Sequence, residues 1–267
     1  MPTAAERLRH VTAKLDRAKQ HIRDLERLHD AFIKSNPYKV ATKRDSNTRK
    51  LIYYLASVEQ PGDHIATTVG DALQNLMSAL DHLAYQLVCA GTGRDGPFYY
   101  VYFPIADGAA EYETEKSRKI RGMRPDAIRA IDAIKPYKGG NDFLCRFSKL
   151  NNVDKHRLVI TVGSAFHSLN LGAHMHQSMQ KMLADKGVAF PALDFYVRPA
   201  DRLFPLKVGD ELFIDSPDAE VNRKMQFVFE LAFGEPPIVE GEPLLQTLHQ
   251  FASLVDEFVP SFEPFLV

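Results

Sequence analysis

The chain has 267 residues, of which 45% are hydrophobic, 25% charged and 10% aromatic. This composition is typical of a globular protein and excludes a collagen-like, a disordered or a disulfide-scaffold chain. No apolar run approaches the roughly 20 residues that cross a bilayer, so we predict no membrane partner. The two cysteines, Cys89 and Cys145, fit a reducing compartment, which favours a cytoplasmic protein.

The net charge of −1 conceals a segregation of charge along the chain. Residues 1–60 contain 13 Lys and Arg against 7 Asp and Glu, and residues 116–157 contain 12 against 4. Residues 208–267 contain 2 against 12. If the basic segments meet on one face, we expect that face to bind RNA or a small phosphorylated or anionic substrate, or the acidic end of a second copy. The alternative is that the basic and acidic parts neutralise each other inside one fold.

In chain order, the first half of the sequence predicts helices around a small β-hairpin. Apolar residues at three- and four-residue steps predict a long helix over residues 3–35, and turn residues 45–47 predict a hairpin over 38–58. A second long helix is expected over residues 62–90. The elements predicted next are a strand at 101–105 and helices at 111–120, 125–134 and 141–152.

The second half of the sequence predicts an antiparallel sheet. Runs rich in β-branched and aromatic residues, separated by Gly, Pro and Asp, occupy residues 157–166, 193–198, 211–215 and 224–233. Helical periodicity returns at 243–258. We therefore predict an α+β fold. A bundle-like helical region, residues 1–157, is followed by a sheet region with a C-terminal helix, residues 158–267, and the two are packed as one body.

The second long helix carries an unusual polar stripe. Residues 63–89 contain three Asp but no Lys, Arg or Glu, the residues that normally cover a solvent-facing helix surface. The stripe is either a polar interface with other helices or with a second subunit, or the wall of a functional pocket. In the second interpretation the candidate residues are Asp71, Asn75, Asp81, His82 and Tyr85. His82 is the first candidate for catalysis because its ordinary pKa lies near neutrality.

A second polar cluster lies at a predicted helix-to-strand junction. Asp154 and His156 could act as a base and its orienting group or as two metal ligands, and Lys155 and Arg157 could hold a phosphate or carboxylate. The alternative is a helix C-terminus with solvated charges. No GxGxxG, P-loop, HExxH or GxSxG pattern is present, so we predict no cofactor.

The stretch Gly70-Asp71-Ala72-Leu73-Gln74-Asn75-Leu76-Met77-Ser78-Ala79-Leu80-Asp81-His82-Leu83 resembles a helix, approximately GDxLHNLRSALDHL, of a group of uncharacterised bacterial proteins. In that group an FPI and a DKHR segment follow, as residues 103–105 and 154–157 do here. The Arg-x4-His within the pattern is similar to the signature of HEPN domains, helical bundles that often act as metal-independent ribonucleases and dimerise around the active cleft. The resemblance implies that His82 is catalytic, and Met77 stands at the position of the arginine.

Three functional hypotheses follow. The first is a HEPN-like ribonuclease relative in which His82 is the general acid or base, Lys155 or Arg157 replaces the missing cation, and a homodimer forms through the central helix. The second is a metal-dependent hydrolase or oxygenase that uses Asp71, His82, Asp154 and His156. The third is a non-catalytic binding or dimerisation module.

Overall fold

The computed structural model describes residues 2–156, 160–172, 175–176, 179–180, 194–199 and 203–267, and the side chain of His156 is not among the described groups. The described helices lie close to their predicted positions. They are α1 (Ala4–Lys34), α2 (Asp63–Thr92), α3 (Ala109–Lys119), α4 (Pro125–Ile134), α5 (Asp142–His156), α6 (Leu244–Ser261) and a 3-10 turn (Glu263–Phe265). None of them has both the length and the apolarity that a bilayer crossing requires.

Local sequence explains where α1 begins and where α2 ends, and these two helices form the centre of the molecule. Thr3 caps α1: its side chain accepts a hydrogen bond from the main-chain N–H of Glu6, and the Glu6 carboxylate accepts one from the main chain of Thr3. This reciprocal pair satisfies donors that the first turn leaves free. Gly93, with φ of 65°, ends α2 in the left-handed conformation that glycine adopts without strain.

The described strands are β1 (Tyr38–Arg44), β2 (Leu51–Val58), β3 (Val162–Asn170), β4 (Tyr196–Val197), β5 (Glu211–Asp215) and β6 (Phe227–Phe233). They form two antiparallel three-stranded sheets, with orders β1-β2-β5 and β4-β3-β6. The predicted α+β class is thus confirmed. The grouping of strands differs from the single later sheet that the sequence predicted, because β5 pairs with the N-terminal hairpin. Apolar alternation identifies strands but does not select their partners.

Residues 101–105 are not a strand, contrary to the sequence prediction. Two main-chain N–H groups that pairing with another strand would need are not available there. Pro104 has no N–H, and the N–H of Phe103 donates to the Asp81 carboxylate at 3.0 Å. The segment is irregular, with the N–H of Ile105 donating back to the main-chain oxygen of Phe103 at 3.0 Å, and the Asp81 side chain attaches it to α2.

One apolar cluster joins α1, α2, α5 and α6. The apolar stripe of α1, which includes Val11, Leu15 and Ile22, is buried with the stripe of α2 and with residues of α6 such as Phe251. A second, smaller cluster lies between the two sheets, where the Tyr38 hydroxyl donates to Ser164 Oγ at 2.7 Å. Both the β2–β5 pairing and the packing of α6 on α1 cross the predicted boundary at residue 157.

Candidate functional site

A polar groove lies between α1 and the face of α2 that carries His82. The Arg7 guanidinium, near the start of α1, donates to Gln86 Oε1 at 3.2 Å near the end of α2. His10 and Lys14, further along α1, are the charged neighbours of His82, which precedes Gln86 on α2. Because numbers rise on one helix as they fall on the other, the helices are antiparallel and these side chains line one groove.

His82 lies on the α2 side of this groove near His10 and Lys14, outside the set of residues that line the cavity at its Arg7 end. Its side chain is half-buried, and no hydrogen bond joins its ring to any residue in the described part of the chain. Burial, followed by electrostatic interactions with Lys14 and His10, lowers the pKa of His82 below its ordinary value. The ring is therefore neutral at pH 7 and free to accept a proton from a bound molecule.

A buried arginine stands at the end of the groove. The Arg7 side chain is 4% exposed, and its nearest carboxylate, on Asp95, is 3.6 Å away and 76% exposed. The Arg7 Nε is buried without a hydrogen-bond partner in the described residues. Arg7 lines a cavity of about 620 Å³ together with Arg9, His10, Tyr85, Gln86 and Cys89. A buried guanidinium with an unused donor is suited to hold an oxyanion.

Tyr85 lines the same cavity as Arg7. Its ring packs edge-to-face on Phe98, with centroids 5.9 Å apart, and its hydroxyl donates to the main-chain oxygen of Asp95 at 3.4 Å. The same hydroxyl would lie 2.1 Å from a Cβ at Gly96, whose φ is +87°. Glycine is required there both by the backbone conformation and by the close approach of Tyr85.

Met77, which stands at the arginine position of the resembled motif, faces the core. It is 6% exposed and belongs to the main apolar cluster. Five residues correspond to about 140° around a helix, so position 77 points away from the groove that contains His82. The positive charges near His82 come from α1 instead.

The neighbouring face of α2 forms a different polar cluster around Asp81. Its buried carboxylate accepts the hydrogen bond from the N–H of Phe103, and Lys155 and Lys119 lie near enough to stabilise its charge. Burial is the larger effect and raises the pKa of Asp81. Residues from the three segments that carry the sequence resemblance thus meet at this face.

Asp154 packs against the same helix closer to its start. A Cβ at Gly70 would lie 2.2 Å from the Asp154 carboxylate, so this side chain occupies the space that the glycine leaves. Burial and, to a lesser extent, the charge of Asp71 raise the pKa of Asp154. Asp71 itself is exposed, and the Asn75 amide donates to its main-chain oxygen at 2.9 Å.

The predicted site residues therefore do not form one cluster. The structure brings Asp154 beside Asp71 and Lys155 beside Asp81, but neither group lies with His82. Asp71 and His82 are eleven residues apart on one helix, about 16 Å along its axis, so one metal ion cannot contact both. In the described residues no group of three or more His, Cys, Asp or Glu side chains could hold a metal. Arg157 and the side chain of His156 lie outside the described residues.

The two basic segments approach different sides of α2 in the described structure. Cations of residues 1–60 line the His82 groove, whereas Lys119 and Lys155 approach Asp81. Several basic residues of 116–157 have a carboxylate within ion-pair distance, namely Lys116, Arg118, Lys119, Arg124, Arg146 and Lys149. Within the described ranges, Lys14 has no such ion pair, and neither do Arg121, Arg129, Lys135 and Lys138, so both basic segments keep cations that could meet an anion.

Arg7, His10 and Lys14 were not among the site residues predicted from the sequence. The sequence contains a pattern that singles out Arg7. It lies four residues before Val11 and eight before Leu15, so it places a charge on the apolar stripe of α1. His10 and Lys14 are spaced by one turn, but nothing in the sequence indicated that they face His82. Cys89, beside Arg7, is buried, and burial raises the pKa of its thiol, which makes it a poor nucleophile.

The chain was compared with protein-family models, with curated proteins and with solved structures. None of the three comparisons found a match. The assignment of a function to this chain therefore depends on the geometry of its own residues.

Proposed function

We propose that the protein binds RNA in the groove between α1 and α2 and cleaves it without a metal ion, with His82 as the general base. The observation that carries this proposal is the state of His82. Its ring is half-buried, has no hydrogen-bond partner in the described structure, and has a lowered pKa beside Lys14 and His10. A structural histidine of a polar interface would instead be hydrogen-bonded to its neighbours.

In the proposed reaction, the ribose 2′-hydroxyl attacks the adjacent phosphorus and gives its proton to the His82 ring. The bond between phosphorus and the 5′ oxygen breaks, and that oxygen receives a proton from His10. The products are a 2′,3′-cyclic phosphate and a free 5′-hydroxyl, so no redox partner or other co-reactant is needed. Lys14 stabilises the extra negative charge on the phosphate in the transition state.

The Arg7 cavity is the second contact of the proposed site. Its guanidinium has an unused buried donor and is therefore suited to hold a neighbouring phosphate of the same strand. The carboxylates of Asp95 and Glu6 also line this cavity and would repel an anion. However, Asp95 is largely exposed, and the Glu6 carboxylate is already hydrogen-bonded to Thr3.

A cytoplasmic location and a homodimer complete the proposal. The two cysteines are free and buried, as is usual in a reducing compartment. The apolar face of α2 packs within the chain, so a second copy would contact the remaining polar face. Analytical ultracentrifugation of the purified protein tests the dimer separately from the chemistry.

The test of catalysis is a cleavage assay on a single-stranded RNA oligonucleotide in the presence of EDTA. His82→Gln keeps a hydrogen-bonding side chain but cannot exchange a proton near neutral pH, and we expect cleavage to fall at least about 100-fold. His64→Gln is the matched control, because His64 is exposed on the same helix and remote from the groove. Equal cleavage by the His82→Gln protein would remove His82 from the mechanism.

The test of binding uses the same RNA at increasing salt concentration. Lys14→Gln should weaken binding and lower the slope of log affinity against log salt by about 0.7, the value for one lost phosphate contact on a single strand. Lys34→Gln, at the exposed far end of α1, should leave the slope unchanged. Binding without cleavage would favour the non-catalytic module, and a wild-type protein that binds no RNA at low salt would refute the proposal.

A further inference from the structure

A second cavity lies far from His82, where the two sheets meet. It has a volume of about 680 Å³ and is enclosed by the end of α1, by β1 and β2, and by residues 221–229, which lead into and include part of β6. This size is within the range of pockets that enclose small organic ligands. Nothing in the proposed RNA chemistry uses it.

Four aromatic side chains line this cavity: Tyr38, Tyr53, Phe227 and Phe229. The Tyr38 and Phe229 rings are 4.4 Å apart, and the Tyr53 and Phe227 rings are 5.7 Å apart. The Tyr38 hydroxyl donates to Ser164 Oγ, and the Tyr53 hydroxyl accepts from the main-chain N–H of Asn222. These hydrogen bonds hold the rings in place, and ordered aromatic walls are suited to contact a planar ring.

Asn222 contributes an unused hydrogen-bond donor to the wall. The residue is 4% exposed. Its Oδ1 accepts from the main-chain N–H of Lys224 at 2.9 Å, which fixes the orientation of the amide. Its Nδ2 is buried with no partner in the described residues. A buried amide donor without a partner is unfavourable, and an acceptor atom on a ligand would supply the partner that it lacks.

The mouth of the cavity is positively charged. Arg223 is exposed and lines it, and the described lining residues include no carboxylate. The lining therefore combines aromatic side chains, a buried amide donor without a described partner and one exposed cation. These features fit a planar ring that carries a hydrogen-bond acceptor and is attached to an anionic group.

We propose that this cavity binds a ribonucleotide, with the base against the aromatic side chains and the phosphate at Arg223. Asn222 Nδ2 donates to an acceptor atom on the edge of the base. Stacking of a base on aromatic side chains is favourable and tolerates different bases. Affinity is therefore expected for several nucleotides. The inference is independent of RNA cleavage.

Calorimetric titration of the whole protein with the four ribonucleoside 5′-monophosphates, and with the matching nucleosides, tests the site. Arg223→Gln should weaken nucleotide binding at least fivefold and leave nucleoside binding unchanged. Lys224→Gln, the same charge change on the adjacent residue outside the lining, should change neither. Asn222→Asp replaces the donor by an acceptor and should weaken both ligand types at least tenfold. If that variant does not fold, the two charge variants still decide the question.

Three results would overturn the inference. The first is that the wild-type protein binds none of the four nucleotides at millimolar concentration. The second is that Arg223→Gln and Lys224→Gln have the same effect. The third is that nucleotide binding is lost in the His82→Gln protein, which would place the nucleotide in the groove between α1 and α2.

Discussion

The Asp81 carboxylate affects the stability of the fold in two ways that can be measured separately. It accepts a hydrogen bond from the N–H of Phe103, and it places a negative charge in a position with little solvent. Asp81→Ala leaves the N–H of Phe103 without its acceptor, and a buried donor without a partner costs about 1–3 kcal/mol. For a chain of this length, each 1 kcal/mol corresponds to roughly 2–4 °C in melting temperature. We therefore expect Asp81→Ala to melt about 2–12 °C below the wild-type protein.

Asp81→Asn should behave differently, because its amide oxygen still accepts from Phe103 while the buried charge is removed. Burial raises the pKa of Asp81, so the folded protein holds this proton more tightly than the unfolded chain does. Its stabilising contribution is full below the unfolded pKa of about 3.9 and is lost as the pH rises through the higher folded value. Asp81→Asn should thus equal or exceed the wild-type stability at pH 7, with no advantage below pH 4.

Thermal and urea unfolding at pH 4, 5.5 and 7 measure both effects. Asp71→Ala is the control, since Asp71 is an exposed carboxylate on the same helix, and its removal should change stability by less than about 0.5 kcal/mol. Equal stability of the Ala and Asn variants of Asp81 would refute the role of the Phe103 hydrogen bond. If Asp81→Asn is more stable than the wild-type protein by the same amount at every pH, the argument that burial of the Asp81 charge destabilises the fold is refuted.

Three further predictions concern other parts of the molecule. Gly96→Ala should destabilise the fold by about 1–3 kcal/mol in urea unfolding, because alanine is strained at φ of +87° and its Cβ would collide with the Tyr85 hydroxyl. His82 has a lowered pKa in the fold, so its contribution to stability is full above about pH 6.5 and is lost as the pH falls toward the folded value. The difference in melting temperature between wild type and His82→Gln should therefore change between pH 7 and 5. Tyr38→Phe and Ser164→Ala should be non-additive in a double-mutant cycle, since they share one hydrogen bond of about 1 kcal/mol between the two sheets.

The sequence alone determined the helices and the α+β class. Periodicity and end signals are local, and the bounds they predicted for the two long helices, 3–35 and 62–90, differ from the structure by no more than two residues. The absence of Lys, Arg and Glu from residues 63–89 predicted a covered polar stripe, but within the chain Thr67 and Asp71 are exposed and Asn75, Ser78 and His82 are half-buried. His82 could be named as a candidate from the sequence, because an ordinary pKa near neutrality is a property of histidine as a residue type.

Only the tertiary structure decided which side chains meet. The partner of β2 is β5, the cations beside His82 come from α1, and Lys155 faces Asp81 instead of His82. These contacts join residues that are far apart in the chain, and helical or strand periodicity contains no information about the register between elements. Adjacent residues of α2 point about 100° apart, so a single position separates the groove with His82 from the buried carboxylate of Asp81.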